Sequence, residues 1–237
     1  MEKKPKVAVI IPVYNEEKSI ERVVRDADRH FSKHYDHYDI LVVNDASTDS
    51  TLKILNGLKK EIKNLKVYTN KKNMGKTQTV MRGFALTNAD IISFIDADYQ
   101  YDPKDLVAVI AKVREGYDIC SGKRKNRHDT IYRKILSKGF NLFNRAMFGI
   151  KISDVNCGLK AFKRGTMDKI KLKYLKAPWF IDTETLAKAY KQHLKITEVD
   201  ISHYHRTTGK SKIKTYALVT ETLFYGLLLK RDLMRKN

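Results

Sequence analysis

The sequence predicts an α/β fold in which a mostly parallel β-sheet is flanked by helices. In the first half of the chain, short apolar runs rich in Val and Ile alternate with segments of helical spacing. The runs are continuous rather than alternating in polarity, which is typical of parallel strands buried on both faces. The predicted strands are residues 7–13, 40–43, 65–68 and 91–95.

The segments between these strands have the features of helices. Residues 16 to about 31 have helical spacing, and residues 75–86 form a helix that begins at a glycine. Ser47 or Thr48 is the predicted cap of the helix after the second strand, because a hydroxyl can accept from a free backbone N–H there. Pro103 suits the first turn of the helix after the fourth strand.

The second half of the chain is less regular. Residues 117–121 predict a strand, and residues 131–148 predict a basic amphipathic helix. Residues 216–229 are apolar on nearly all sides and are followed by Lys230 and Arg231. Such helices either lie in a membrane interface with their basic side chains at the headgroups, or pack on the core of the protein. The sequence leaves both interpretations open.

The charge of the chain is concentrated in its second half. Residues 1–119 contain 20 Lys or Arg and 18 Asp or Glu, whereas residues 120–237 contain 27 and 9, and the net charge is +20. An anionic partner is therefore expected: nucleic acid, an anionic membrane surface or a phosphorylated substrate. A very soluble surface without a partner is the other interpretation. We find no repeat and no linker, so a single domain over residues 1–237 is expected.

The two cysteines and the apolar segments limit the cellular location. Cys120 and Cys157 do not suggest a disulfide framework, so free thiols in a reducing compartment are expected. No signal peptide is evident, and no stretch reaches the roughly 18 apolar residues that span a bilayer. These features predict a protein of the cytoplasm or of the cytoplasmic face of a membrane.

Two acids follow the fourth predicted strand and are the first candidates for chemistry. Asp96 and Asp98 come directly after the apolar run 91–95. In an open α/β sheet, ligands bind outside the carboxyl ends of the strands. Mg²⁺ and Mn²⁺ commonly take one or two carboxylates together with substrate phosphates. A metal–diphosphate site is one interpretation, and an ordinary acidic turn is the other.

The other motifs give weaker evidence of function. Segments 75–77 and 209–211 have the Gly-Lys-Thr/Ser ending of a phosphate-binding P-loop, but Asn70 and Tyr204 stand where that motif needs its first glycine.

His203 and His205 would share one face if residues 195–205 were a strand, but no cysteine or further acid accompanies them as a zinc ligand. Neither cysteine has a nucleophile context. The basic loop 123–128 lacks a surrounding nucleic-acid-binding module, so the sequence does not favour nucleic acid as a partner.

The ordered series of motifs resembles the inverting GT-A glycosyltransferases. The fuller set is similar to dolichol-phosphate mannose synthases and related polyprenyl-phosphate hexosyltransferases, and the resemblance covers almost the whole chain. Its segments are 12–16, 43–49, 75–76 and 96–100, then 122–124, 132–139, 154–158 and 206–212. The resemblance implies a GT-A, Rossmann-like sheet with amphipathic interfacial helices in the second half. It also implies a nucleotide-sugar-binding half, residues 1–119, and an acceptor- and membrane-binding half, residues 120–237.

The resemblance assigns roles to matching positions. The nucleoside contacts implied are Pro12, Tyr14, Glu16, Val43 and Asp45. Asp96, Ala97 and Asp98 would meet the ribose and diphosphate, and the metal, Mg²⁺ or Mn²⁺, would be bound by Asp98 and Gln100 with Asp96 close by.

The remaining roles lie in the second half of the chain. Arg124 would reach the donor diphosphate or sugar, and Arg133 with Ser137 would receive the acceptor phosphate. Arg206 and Lys212 would close a loop over the donor. In this reading Asp98, Arg124 and Arg133 carry catalysis.

The implied reaction is metal-dependent transfer of a hexose from a nucleotide sugar, GDP-mannose or UDP-glucose, to a polyprenyl or dolichyl phosphate. Inversion would give a β-linked product, and the enzyme would be peripheral to the membrane.

Asp182 and Glu184 are either sugar contacts or acids that open a helix. A second hypothesis is a soluble transferase with a saccharide acceptor, in which Asp154 would be the general base. A third is a basic binding module without catalysis.

Overall fold

The computed structural model of the protein describes residues 4–125, 131–177, 180–205 and 215–235, and its strands and helices alternate along the chain. The strands are β1 (Val7–Val13), β2 (Tyr38–Asn44), β3 (Leu65–Thr69), β4 (Ile91–Ile95), β5 (Ile119–Arg124), β6 (Leu159–Lys163) and β7 (Ile196–Ile201). The helices are α1 (Ile20–His34), α2 (Thr51–Glu61), α3 (Lys76–Ala85), α4 (Asp105–Arg114), α5 (Ile131–Phe148), α6 (Thr166–Ile170), α7 (Ile181–Lys191) and α8 (Thr215–Met234).

The strands form one seven-stranded sheet in the order β3-β2-β1-β4-β6-β5-β7. Strand β1 pairs in parallel with β2 and β4, and β5 pairs in parallel with β7. Strand β6 is antiparallel to both of its neighbours, β4 and β5. The predicted α/β fold with a mostly parallel sheet is confirmed.

Both faces of the sheet are covered, which explains the continuous apolar strands. Val7, Val9 and Ile11 enter a core cluster with α1, α2 and α4. Ala8 and Ile10 point to the other face, where they pack with residues of α3, α6 and α7. A third cluster joins α5, α7 and α8.

The structure corrects several element boundaries. Helix α1 begins at Ile20 rather than at residue 16, and the cap of α2 is Ser50 rather than Ser47 or Thr48. The Ser47 hydroxyl instead accepts a hydrogen bond from the backbone N–H of Asn15, at 3.0 Å. Strand β7 ends at Ile201, so His203 and His205 lie outside it and the proposed shared strand face is wrong. Helix α5 has the predicted bounds.

Candidate active site

The residues singled out in the sequence gather at one edge of the sheet. Strands β1, β2, β4 and β5 all end there, because they run in the same direction. Strand β6 runs the opposite way, so its amino end brings the loop 154–158 to the same edge. This edge, which we call the crevice, lies outside the carboxyl ends of parallel strands, where α/β proteins bind ligands.

The turn after β4 presents the two acids on a rigid backbone. The backbone N–H of Gln100 donates to Asp98 Oδ1 at 3.2 Å, which closes the turn on itself. Tyr99 has a left-handed backbone with φ of 56°, a conformation that is costly for a non-glycine residue. Its hydroxyl donates to Asp26 of α1, and the guanidinium of Arg22 lies 3.9 Å from its ring centre. These contacts fix the turn between Asp98 and Gln100 to the body of the protein.

The loop before β6 lies directly against Asp96. A Cβ atom placed on Gly158 would lie 2.1 Å from Asp96 Oδ2 and 2.9 Å from the ring of Tyr101. The backbone N–H of Gly158 also donates to the Tyr101 hydroxyl at 3.0 Å. Position 158 therefore requires a glycine for close approach to the acid. The resemblance included this glycine without a role.

Lys76 neutralises Asp96. Its Nζ lies 2.5 Å from Asp96 Oδ1, and both side chains are about one quarter exposed at the crevice. Burial lowers the pKa of Lys76, but the nearby carboxylates of Asp96, Asp182 and Asp98 outweigh it, so the pKa is raised. The ammonium group is therefore charged at all physiological pH values.

A second lysine, Lys160 of β6, is fully buried beneath the crevice with 0% of its surface exposed. Its ammonium donates to the carbonyls of Val155 and Cys157, at 3.0 and 2.5 Å, and to Asp182 Oδ1 at 2.7 Å. It thus holds the loop 154–158 from below. Its role cannot be predicted from the sequence, because a lysine in a short strand indicates an exposed position.

Asp45, at the end of β2, anchors the loop that leads into α3. Its Oδ1 accepts from Asn70 Nδ2 at 2.7 Å and from the N–H of Met74 at 2.8 Å, and its Oδ2 accepts from the N–H of Gly75 at 2.8 Å. The side chain is almost fully buried. Asp45 thus fixes Gly75, and with it the position from which Lys76 projects.

The other predicted nucleoside residues surround the ends of β1, β2 and β4. Pro12, Tyr14 and Glu16 are half-buried, on β1 or just after it. Val43 has no exposed surface because it lies in the core, so it supports the crevice from beneath and does not line it. Ala97 is buried, and its carbonyl accepts from the Ser19 hydroxyl at 2.8 Å.

Arg124, at the end of β5, is bound to Asp154. Its Nε and Nη2 donate to the two oxygens of that carboxylate, each at 2.7 Å, and both side chains are nearly buried. Burial alone would lower the pKa of Arg124, but Tyr101 and Asp154 raise it above its ordinary value. The pair links β5 to the loop before β6 and fixes the guanidinium at the crevice edge.

The remaining predicted residues are only partly described. Arg133 lies in the first turn of α5, but its side chain is outside the described part of the structure, whereas Ser137, one turn later, is half-buried. Arg206 and Lys212 lie outside the described residues. His203 and Tyr204, which precede that segment, contact the residues after β4: the His203 ring centre lies 5.6 Å from that of Tyr101, and the Tyr204 N–H donates to the Gln100 carbonyl at 2.8 Å.

Asp182 and Glu184 have different environments. Asp182 is the partner of buried Lys160. Glu184 accepts from the backbone N–H groups of Lys173 and Tyr174, at 2.7 and 3.0 Å, and from Lys188 Nζ at 2.6 Å. Glu184 therefore ties the segment before α7 to the helix, and both of its carboxylate oxygens accept hydrogen bonds from the protein.

The oxygen donors at the crevice fit a hard divalent cation. Asp96, Asp98 and Gln100 lie within one turn. The side-chain atoms through which they could bind a metal are oxygens, and Mg²⁺ and Mn²⁺ prefer oxygen ligands. Within the described ranges, no three His, Cys, Asp or Glu side chains form a metal cluster. An ion at this turn would therefore need oxygens from a bound phosphate or from water, which is the usual arrangement for Mg²⁺.

Comparison with protein families gives one match over most of the chain. The profile described as glycosyl transferase family 2 matches residues 8–171. An undecaprenyl-phosphate 4-deoxy-4-formamido-L-arabinose transferase from Proteus mirabilis is 30% identical over 228 residues, which are 96% of this chain and 68% of that protein. The same transferase from Klebsiella pneumoniae is 31% identical over 224 residues, with 94% and 66% covered. The chain spans about two thirds of the length of these relatives.

Solved structures that share the fold include the following two. Glucosyl-3-phosphoglycerate synthase from Mycobacterium tuberculosis, in complex with Mn²⁺, UDP and glucosyl-3-phosphoglycerate, has a TM-score of 0.70 and 19% identity. The match covers 95% of this chain and 80% of that one. A mannosyltransferase from Pyrobaculum calidifontis, in complex with GDP-Man and Mn²⁺, has a TM-score of 0.67 and 17% identity, covering 100% and 66%. The sheet and helices described above are those of the GT-A fold.

Proposed function

This chain belongs to glycosyl transferase family 2, and from that we propose that it transfers a hexose from a nucleotide sugar to a polyprenyl phosphate held in a membrane, with inversion. The acid turn at Asp96 and Asp98 would bind the donor, and helices α5 and α8 would lie against the lipid. The proposal uses the crevice and the apolar helices together.

The observation that carries the proposal is an apolar stripe on α5 and α8, consisting of Ile135, Leu142, Leu223, Phe224 and Leu227. These side chains are between 49% and 67% exposed. Large apolar side chains that share one face of a helix and remain in water indicate an interaction surface. Basic residues on the same helices, Lys138, Arg145 and Arg231, are exposed as well and would meet anionic headgroups.

The described helices offer contact with a membrane rather than passage through it. In the part of the chain that the structure describes, no helix is long and apolar enough to cross a bilayer. Helix α8 is also fixed to the protein: Leu229 is fully buried, and Lys230 Nζ donates to the carbonyl of Met147 in α5 at 2.7 Å. One face of α8 therefore packs in the third core cluster while the other is free to contact lipid.

A phosphate acceptor also suits the chemistry at the crevice. A monoester phosphate carries about 1.5–2 negative charges at pH 7, so one of its oxygens can attack the anomeric carbon without a general base. Arg133 and Ser137 are the proposed acceptor contacts, because a guanidinium pairs bidentately with phosphate oxygens. In-line attack forms the new C–O bond on one face of the sugar as the bond to the diphosphate breaks on the other.

The donor diphosphate leaves with the bonding electrons, and the crevice is built to accept that charge. Asp96, Asp98 and Gln100 would hold Mg²⁺ or Mn²⁺, which when bound neutralises negative charge on the leaving diphosphate. Arg124 is proposed to contact the diphosphate at the same edge, where its pair with Asp154 fixes the guanidinium in place. Pro12, Tyr14, Glu16 and the adjoining strand ends are proposed to hold the nucleoside.

The position of Asp154 argues against a hydroxyl acceptor. A saccharide hydroxyl must lose a proton during transfer and would need a carboxylate base. Asp154 is the candidate, but both of its oxygens accept hydrogen bonds from Arg124. The relatives from Proteus mirabilis and Klebsiella pneumoniae are undecaprenyl-phosphate transferases, which favours a polyprenyl phosphate acceptor here too.

The proposed donors are GDP-mannose and UDP-glucose, and the proposed location is the cytoplasmic face of a membrane. Both cysteines are buried free thiols, which fits a reducing compartment. Since the named relatives transfer a formamido-arabinose, a donor of that type belongs in the same screen.

The test is transfer of label from each nucleotide sugar to a short polyprenyl phosphate, with and without a chelator. Chelator-sensitive, base-stable glycolipid in the organic phase is the expected product. Product formed only with saccharide acceptors would favour the soluble transferase. Salt-sensitive nucleic-acid binding without turnover would favour a binding module.

A further inference from the structure

Lys76 occupies the position at which a cation would bind the acid turn. It is the first residue of α3 and follows Gly75, whose φ of 83° places it in a conformation that favours glycine. Its Nζ lies 2.5 Å from Asp96 Oδ1, and the negative charges of Asp98 and Asp182 also stabilise its ammonium group. Two of these three acids are in the proposed metal site.

The position of Lys76 is fixed rather than incidental. Asp45 accepts hydrogen bonds from the N–H groups of Met74 and Gly75, so the backbone leading to Lys76 is tied to the end of β2. The acid is held just as firmly, because Gly158 lies against its other oxygen, Oδ2. An ammonium and a divalent ion beside one carboxylate repel each other, and a low-dielectric crevice strengthens that repulsion.

A bound diphosphate changes this balance. Its negative charges would attract both the divalent ion and the ammonium group of Lys76. The two cations would then no longer compete for the single carboxylate of Asp96. Binding of the ion and of the nucleotide would then be coupled, and such coupling is reciprocal between the two ligands.

We propose that Lys76 makes binding of the divalent cation conditional on the nucleotide diphosphate, by neutralising Asp96 when no donor is bound and turning to the diphosphate when the donor binds. This inference rests on the proposed function, since it assumes the donor site at the acid turn. It assigns Lys76 a specific role as an exchangeable counter-ion of Asp96 and a contact of the donor diphosphate.

The test measures Mn²⁺ affinity by electron paramagnetic resonance, without nucleotide and with UDP or GDP, in the wild type and in Lys76→Met. Without nucleotide, Lys76→Met should bind Mn²⁺ at least about fivefold more tightly. The increase in Mn²⁺ affinity produced by the nucleotide should be smaller than in the wild type by at least the same factor. Lys76→Arg keeps the charge and should retain the coupling of the wild type.

Lys66→Met is the matched control. Lys66 also forms an ion pair, with Asp39 at 2.9 Å, but it lies on β3 and its partner is at the start of β2, at the opposite edge of the sheet. Its removal changes the net charge equally and should leave both affinities unchanged. Circular dichroism of each variant checks folding, and Lys76→Gln replaces Lys76→Met if the latter does not fold.

The outcomes separate this inference from the proposed function. Equal Mn²⁺ affinity in Lys76→Met and Lys66→Met, with nucleotide-enhanced binding intact, would overturn the role of Lys76 and leave the metal site in place. If no variant and no wild-type sample binds Mn²⁺, even with nucleotide, the proposed metal site fails and the inference fails with it.

Discussion

Gly158 and Asp96 approach each other so closely that a single methyl group cannot fit between them. The added Cβ would lie 2.1 Å from Asp96 Oδ2, far inside van der Waals contact. The loop from the second half of the chain thus sets the position of an acid that follows β4.

Gly158→Ala should displace the Asp96 carboxylate and weaken Mn²⁺ binding in the presence of nucleotide by about tenfold or more. Titration of Mn²⁺ against the purified variant with UDP or GDP measures this. Gly57→Ala is the control, because a Cβ at Gly57 of α2 meets no atom within 4 Å. It should bind Mn²⁺ normally and be stabilised by up to about 1 kcal/mol through helix propensity. Normal Mn²⁺ affinity in Gly158→Ala would show that Asp96 does not bind the ion.

Asp98→Ala should reduce turnover by at least about 100-fold, because charge on the departing diphosphate would no longer be neutralised. Transfer of labelled sugar to polyprenyl phosphate measures it over a range of Mn²⁺ concentrations. Asp168→Ala, which removes an exposed acid of α6, should retain full activity. Wild-type turnover in Asp98→Ala would exclude this side chain as a metal ligand.

Lys160→Met should lower the free energy of unfolding by about 3–5 kcal/mol, since it leaves Asp182 buried without its cationic partner. Two backbone carbonyls, of Val155 and Cys157, would lose their donor as well. Urea denaturation followed by circular dichroism measures the change. Lys112→Met removes an exposed ion pair with Glu115 and should leave the urea midpoint nearly unchanged. Equal stabilities of the two variants would contradict the assigned role of Lys160.

Replacing Leu223, Phe224 and Leu227 together by Ser should reduce binding to vesicles containing anionic lipid by more than about tenfold. Each apolar side chain of this size contributes about 1.5–3 kcal/mol when fully removed from water. Vesicle co-sedimentation measures the loss, and thermal unfolding should be nearly unchanged because all three are exposed.

Leu229→Ala gives the opposite pattern and is the control for the apolar stripe. Leu229 is fully buried, so its truncation should cost about 2–5 kcal/mol of stability while the folded fraction binds vesicles normally. Deleting the whole of α8 would mix these two effects. Wild-type vesicle binding by the triple variant would show that the stripe does not contact lipid.

The first half of the fold could be predicted from the sequence because its strands are buried on both faces. Continuous apolar runs revealed β1, β2, β3 and β4, and the acid turn was recognised from its place after β4. The start of α1 was predicted four residues early, because residues 16–19 continue the helical pattern while the backbone forms a loop after left-handed Asn15.

Strand β6 was not predicted, and the reason lies in Lys160. The sequence Leu159-Lys160-Ala161-Phe162-Lys163 has a lysine in its second position, and a buried lysine is rare. Its partner, Asp182, is 22 residues away and is brought close only by the packing of α7 against the sheet. The roles of Gly158 and Lys76 depend on similar long-range contacts with Asp96, which neither spacing nor composition contains.

The antiparallel strand β6 has a consequence for any attempt to divide the chain. It lies between β4, from the first half, and β5, which begins at the boundary near residue 119, and hydrogen bonds to both. A fragment that stopped at this boundary would expose the backbone of β4 as an open edge, ready to pair with another molecule. It would also lack Gly158, which lies against Asp96, and Lys160, which holds the loop 154–158 in place. A split protein should therefore aggregate unless both pieces are produced together and reassemble.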